Sequence, residues 1–506
     1  MKLATYQNQK AEFEKAGFIL PQYAREQVIQ ETKENPEWLH FGAGNIFRAF
    51  TAHLQQKLLN EGLEKTGIIV AEGFDEEIVE KAYRPYNNIS CLSVLKADGT
   101  VDNEVIASVT ESLNADPFGE DWERLEAIFR NPSLKMVSFT ITEKGYQSVA
   151  PDSIMARLVM LLEVRFQAGA YPLALVSMDN CSHNGEKLKN AVMAIVGEGV
   201  HSDILPKEFL NYVEEKVSYP WSMIDKITPR PDAKVKAMLE EKGFEDTDII
   251  VTAKHTYTAP FVNAEQAEYL VIEDDFPNGR PQLEKAGVLF TDREHVNMVE
   301  RMKVCTCLNP LHTALAIFGC LLGKQTICEE MQDEDLKKMV YKLGYEEGMP
   351  VVTDPGIMDP KAFIRDVLEL RLPNPFMPDT PQRIATDTSQ KLSIRFGETI
   401  KAYLGAEDLS IDTLKVIPMV LAGWMRYLTG VGDDMQPFTV SPDPMLDKVQ
   451  APLDQIEEKA AELIHDKAIF GVDLEEAGLK DKVMESLHNM LQGEGAVRAE
   501  IRRVIA

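Results

Sequence analysis

Cysteine is scarce, with six in 506 residues. That is too few for a disulfide framework, and such sparse thiols suit a reducing compartment. Basic charge is also short: 53 Lys and Arg against 81 Asp and Glu leave a formal net charge of -28. This opposes phosphate backbones and anionic lipid, because binding either ordinarily takes a basic patch. Nucleic acid is not an expected partner. Long apolar runs are missing too. T-A-L-A-I-F-G-C-L-L-G at 313–323 and V-I-P-M-V-L-A-G-W at 416–424 are shorter than the roughly 20 residues that span a bilayer, so no membrane partner is expected. The first residues, M-K-L-A-T-Y-Q-N-Q-K-A-E-F-E-K-A-G, place charges where a signal peptide needs an apolar segment. The expected compartment is the cytoplasm.

What is present is ordinary globular composition, 44% hydrophobic and 26% charged, in a chain longer than one hydrophobic core usually supports. Two domains are expected. Residues 11–34 read as a helix ending at Asn35-Pro36, and W-L-H-F then leads as a strand into Gly42-Ala43-Gly44 and a helix from Ile46 to Leu59. Further strands are expected at T-G-I-I-V-A-E-G, M-V-S-F-T-I-T (136–142), P-L-A-L-V-S-M (172–178) and D-I-I-V-T-A (248–253), with helical patterns between several of them. That alternation implies α/β architecture with a largely parallel, doubly wound sheet. Beyond residue 288 helical periodicity takes over. The reading is a Rossmann-like nucleotide-binding domain over 1–287 and a mostly helical substrate-binding domain over 288–506.

The glycine turn carries the first chemical signal. Gly42 permits a tight turn, and Gly44 permits a pyrophosphate to approach the N-terminus of the following helix, whose free N–H groups favour an anion. Phe47 stands where the usual third glycine would be, so the match is G-x-G only. Glu72, ending the next strand, would accept hydrogen bonds from a ribose diol and repel a 2′-phosphate, which favours NAD over NADP. It lies further from Gly44 than the usual spacing of about twenty residues, so Asp75 is a second candidate for that role.

The second signal is K-V-C-T-C-L-N-P-L-H at 303–312. Asn309-Pro310 has the form of a helix start, with Asn309 as N-cap, His312 in the first turn and Lys303 upstream. In one continuous helix Lys303 and His312 would point about 180° apart. A break at Pro310 would let them converge. Two plainer readings accompany this one. The three residues are a cap, a packed histidine and a surface lysine, or Cys305, Cys307 and His312 hold zinc. The cysteines alternate with apolar residues as in an extended segment, where they pack as small apolar groups, and no metal is expected.

Taken together, these segments make the chain resemble the polyol-specific long-chain dehydrogenases. The resemblance runs through L-P-Q-Y-A-R (20–25), H-F-G-A-G-N-I-F-R (40–48), T-I-T-E-K-G-Y (140–146), S-M-D-N (177–180), N-G-E (184–186) and D-K-I-T-P (225–229). It continues through the 303–313 segment, N-P (374–375), R-I (383–384) and D-T-S-Q-K (387–391). That family's signature is a lysine, four residues, an asparagine, two residues and a histidine. Here five residues separate Lys303 from Asn309.

The resemblance implies reversible, metal-independent hydride transfer between NAD and a secondary carbinol. Lys303 would serve as general base and acid, Asn180 and Asn309 as donors to the reacting oxygen, His312 as the group orienting a neighbouring hydroxyl, and Glu143 as a proton link to solvent. Gly42, Gly44, Asn45, Phe47, Arg48, Glu72 and Asp225 would form the cofactor side, and Arg383 and Lys391 the substrate side. The expected partner is a small sugar acid or polyol. The stretches 268–281 and 284–288 look more like the uronate enzymes of the family, which points to mannonate and its keto form fructuronate. The altronate/tagaturonate pair and mannitol are the alternatives. A nucleotide-binding sugar-acid sensor without turnover is the alternative of another class, and joint retention of Lys303, Asn309 and His312 argues against it. No feature of the sequence reports oligomeric state.

Overall fold

The computed structural model describes residues Met1–Ala506, and the chain divides into two compact units: Met1–Lys96 with Thr100–Asn297, and Met298–Ala506 with Ala97–Gly99. The first is organised by six strands, β1 (Trp38–Phe41), β2 (Ile68–Glu72), β3 (Val109–Asn114), β4 (Met136–Phe139), β5 (Leu173–Ser177) and β6 (Val217–Ser218). They lie in the order β3-β2-β1-β4-β5-β6 with every neighbouring pair parallel, the doubly wound order of dinucleotide-binding folds.

A parallel sheet needs cover on both faces, and the strand residues alternate accordingly. Leu39, Phe41, Ile69, Val137 and Leu175 pack on one side with helices Trp122–Arg130, Ile154–Gly169 and α2 (Asn184–His201). Trp38, Val70, Met136 and Val176 pack on the other with Leu54 and Leu58 of helix α1 (Ala52–Asn60). Two smaller sheets complete the unit: Phe18–Ile19, Val101–Ile106, Ser90–Leu95 and Phe261–Glu265 in one, and Ser222–Asp225, Tyr269–Glu273 and Leu289–Thr291 in the other.

Three sequence expectations are corrected here. The helix read over 11–34 is two helices, Lys10–Lys15 and Arg25–Glu34, separated by Gly17 at φ +81° and the strand Phe18–Ile19. The strand read at 248–253 shrinks to Ile250–Val251, which pairs only with Tyr257–Thr258 outside the main sheet. The first unit also runs past residue 287, because Leu289–Thr291 still pairs in parallel with Tyr269–Glu273.

The second unit is helical. Helix α3 (Arg293–Met302) runs through a π turn, Lys303–Cys307, into α4 (Asn309–Leu321). Arg293–Leu321 is long and apolar enough to cross a membrane by length and composition, and 78% of its most apolar window is buried. Helix α5 (Val416–Tyr427), buried throughout, packs against α4, with the Phe318 ring seated where Gly423 carries no side chain. Glu347 anchors the start of α5 by accepting the N–H groups of Lys415, Val416 and Ile417 at 2.6, 2.6 and 2.8 Å, a carboxylate on a helix N-terminus.

Candidate active site

In the first unit the site residues gather at the carboxyl ends of the strands, where the order reverses between β1 and β4. Gly42 follows β1 with φ +109°, and a Cβ there would stand 2.2 Å from the Thr140 carbonyl oxygen. Only glycine fits that turn. Gly44 is the opposite case, with no atom within 4 Å of where a Cβ would be. Its outer side is open, which is the room a pyrophosphate needs beside a helix N-terminus. His40, at the end of β1, binds Ser138 Oγ (2.6 Å) and Thr140 Oγ1 (2.8 Å) and stacks on Phe47. Burial pushes its imidazole down to about 3, so it is a neutral structural group.

Glu72 shapes the turn. Oε2 accepts the Ala43 N–H at 2.8 Å, and Oε1 accepts those of Phe74 and Asp75 at 2.7 and 3.0 Å. Asp75 is 2% exposed and accepts the Thr252 hydroxyl at 2.6 Å, which removes it as a ribose contact. Two expected cofactor residues are corrected as well. Phe47 and Arg48 are 0% and 1% exposed. Arg48 donates to Ala259 O at 2.5 Å and Thr258 Oγ1 at 2.9 Å, and reaches Asn45 Oδ1 at 2.8 Å. Both residues open the π turn Phe47–Thr51 of the helix that follows. Phe47 and Arg48 hold the turn from beneath.

A cavity of about 340 Å³ lies at the same strand ends, lined by Ile46, Thr142, Glu143, Asn180, Asp225 and Lys226 among others. It thus brings together three residues expected from the sequence: Glu143, Asn180 and Asp225. Asp179, which sequence reasoning missed, fixes its wall. Its carboxylate accepts the Ile141 and Thr142 N–H groups (3.0 and 2.9 Å) and the Tyr146 hydroxyl (2.5 Å). Thr142 sits at φ +65°, a costly conformation for a β-branched residue, held by these bonds. Glu143 is exposed and takes a 2.7 Å bond from Lys187.

The second unit departs from the sequence reading in an informative way. A helix does begin at Asn309, as the first helical residue and not the cap: the cap is Leu308, at φ −129° and ψ −62°. Leu308 N donates to Lys303 O at 3.1 Å, and His312 N to Leu308 O at 3.0 Å, so backbone bonding carries through. Cys305 and Cys307 are therefore helical, not extended. Burial raises their thiols to about 11 and about 12. Leu308 holds the cap position, and Asn309 accordingly caps nothing. What breaks the phase is the π turn, whose i→i+5 bond takes in one residue more than an α turn. That accommodates the additional residue between Lys303 and Asn309. Lys303 is 4% exposed.

His312 lies 3.6 Å from Asp379 Oδ2, with its buried Nε2 lacking a hydrogen-bond partner. Burial holds it down at about 4; Asp379 opposes the shift, and Arg395, Arg383 and Arg371 reinforce it. It is a neutral imidazole at physiological pH. Arg383 is paired with Asp379, and Lys391 donates to Thr386 O with its ammonium disfavoured by burial and then by Arg395. Asp379 and Arg395 had no signal in the sequence. Both reach the His312 region through tertiary packing alone.

A doubly wound sheet with an open glycine turn, in a chain whose helical unit buries a lysine on the turn leading into the helix that carries a neutral histidine, is the build of a two-domain dehydrogenase. Residues 36–285 match the family model of the mannitol dehydrogenase Rossmann domain, and residues 295–491 that of the mannitol dehydrogenase C-terminal domain. The chain belongs to the mannitol dehydrogenase family, and with it to the oxidoreductases that act on a CH–OH group with NAD.

Among curated relatives it is 49% identical to a D-mannonate oxidoreductase of Thermotoga maritima, over 98% of this chain and 97% of the relative. Two solved structures share the fold. A D-sorbitol dehydrogenase in substrate-free form has TM-score 0.80 and 24% identity, covering 96% of this chain and 98% of that one. The mannitol 2-dehydrogenase of Pseudomonas fluorescens, in a ternary complex with NAD and D-mannitol, has TM-score 0.68 and 23% identity over 97% of each.

Proposed function

We propose that this chain interconverts D-fructuronate and D-mannonate, with Lys303 as the general acid and base. The substrate rests on the 49% identity to the Thermotoga maritima D-mannonate oxidoreductase. The proton chemistry rests on one observation: a π turn that buries Lys303 directly ahead of Asn309 and the neutral His312. The open backbone at Gly44 and the Glu72-held turn fit a dinucleotide, and Asp225 and Asn180 line the cavity at the same sheet edge.

The turn held by Glu72 and open at Gly44 would hold NAD, which when bound would supply the hydride acceptor, and as NADH the hydride donor. The rest falls to the chain. Lys303 takes the proton of the reacting hydroxyl, and in reduction the same amine returns it. The Asn309 amide, not committed to capping, is free to donate to the reacting oxygen as charge builds there. His312 orients a neighbouring hydroxyl as a neutral hydrogen-bonding group. Arg383 and Lys391 lie on the substrate side.

The test is a comparison of initial rates of NADH consumption at 340 nm with D-fructuronate, D-tagaturonate and D-fructose. D-fructuronate is expected to give the highest kcat/KM. A clear preference for tagaturonate or fructose replaces the substrate, and no consumption with any of the three retires the enzymatic reading for this substrate class.

A further inference from the structure

Arg395 stands on another π turn of the helical unit, Ser393–Gly397, and none of the substrate-side assignments above includes it. Its Nη1 donates to Thr313 Oγ1, and the Thr313 hydroxyl in turn donates to the Asn309 carbonyl at 2.9 Å. Thr313 is buried and follows His312 directly. The guanidinium is thereby tied to the first turn of α4, beside the two residues assigned to the substrate oxygen and its neighbour.

Three observations bear on what Arg395 is placed to bind. It makes no ion pair, whereas Arg383 is held by Asp379, Arg301 by Glu398, and Arg498 by Asp333 and Asp335. Burial alone lowers its affinity for a proton, to about 10, with no neighbouring carboxylate to offset that loss. Its remaining N–H groups are neither bonded within the protein nor sealed from solvent. Arg395 also bears electrostatically on both His312 and Lys391. A partly dehydrated guanidinium without an anion is costly. Buried Arg426 also lacks a counter-ion but spends its N–H groups on protein oxygens; Arg395, in a chain of net charge -28, leaves N–H groups open to an anion supplied from outside.

We propose that Arg395 receives the carboxylate of the substrate, and is the residue by which this chain takes a sugar acid in preference to a neutral polyol. The inference rests on the fructuronate reading and names the group that would enforce it. A planar fork of N–H donors matches a carboxylate in a bidentate manner, which a hydroxymethyl group cannot satisfy.

The experiment is steady-state kinetics of wild type, Arg395→Met and Arg395→Lys with D-fructuronate, together with product inhibition by D-mannonate. Thermal melts of all three report folding. Arg395→Met is expected to raise KM for D-fructuronate and Ki for D-mannonate by about 100-fold. In the same variant kcat should stay within about fivefold and KM for NADH should be unchanged, since the loss is of binding shared by ground and transition states. Arg395→Lys, which keeps the charge but loses the fork, should fall between. Wild type active on D-fructuronate with Arg395→Met unchanged in KM overturns this inference and leaves the function standing. An equal fall of kcat in both variants with a lowered melting temperature makes Arg395 a structural tie to Thr313 and also overturns it. Wild type active on D-fructose but on no keto-uronate removes the substrate reading and this inference together. If Arg395→Met does not fold, Arg395→Lys decides: a tenfold or greater rise in KM and Ki supports the assignment, and no rise overturns it.

Discussion

The two units use charge in opposite ways. In the first, carboxylates are committed to the protein itself: Glu72 ties down the glycine turn through three backbone N–H groups, and Asp179 clamps the Thr142 wall through two more and a tyrosine hydroxyl. What remains facing outward is open backbone at Gly44. In the second, cations crowd α4 with few acids to match: Arg371, Arg383 and Arg395 all bear on His312, against the single carboxylate of Asp379. The contrast amounts to a division of labour. Loops shaped by buried acids offer neutral donors to a dinucleotide phosphate, while a cationic helix start suits a small anionic substrate.

Lys303 puts that division under the greatest strain. Lys303→Ala should cut kcat by about 10²–10⁴-fold while leaving NADH affinity, followed by quenching of protein fluorescence, within twofold of wild type. Turnover that survives would move the base elsewhere. Gly42→Ala is the reciprocal experiment. The added methyl would meet the Thr140 carbonyl at 2.2 Å with φ at +109°, so the turn must shift. A loss of about 2–4 kcal/mol in stability and at least a tenfold loss of NADH affinity are expected, against little change in binding of D-mannonate to the variant. Equal loss of both ligands would mean that the turn does not act through the cofactor.

Both functional segments were legible in the sequence because each is local. A strand, two glycines and a helix within residues 38–59 announce a dinucleotide turn, and Lys303, Asn309 and His312 fall within ten residues. Strands β1, β2, β4 and β5 were also readable, since burial on both faces makes them continuous apolar runs. Edge strand β3 was missed: V-T-E-S-L-N mixes polar and apolar residues without a long run. The π turns at Phe47–Thr51 and Lys303–Cys307 were invisible, because both sequences suit an α-helix and the inserted residue is fixed by packing. Arg395 and Asp379 were unreachable for another reason, since each meets the His312 region across more than sixty intervening residues.

The smallest expected effects lie within the helical unit, where two buried ionisable groups packed on α4 titrate in opposite senses. His312 has its protonation held down at about 4 by burial, from an ordinary value of 6.5. The folded state therefore binds this proton less tightly than the unfolded chain does. Its contribution to stability is present above pH 6.5 and is lost as pH falls toward 4, about 3 kcal/mol over the full range. Glu330 is the mirror case. It is 0% exposed, neither carboxyl oxygen has a hydrogen-bond partner, and Oε1 sits where a Cβ on Gly319 would be. Burial raises its proton affinity well above the usual carboxylate range, so its contribution is fully present below the unfolded value and is lost as pH rises from there toward the folded one. Glu330→Met keeps the volume and removes both the unbonded oxygens and the titration. It should raise the melting temperature at pH 8, by an amount corresponding to about 1–3 kcal/mol, with the gain shrinking toward pH 5. His312→Gln should do the reverse, flattening the acid limb between pH 6.5 and 4 while leaving pH 8 unchanged. Melting curves for both variants across pH 4 to 8 check the pair, and a gain from Glu330→Met that is the same at every pH would show that the carboxyl does not titrate in the folded chain.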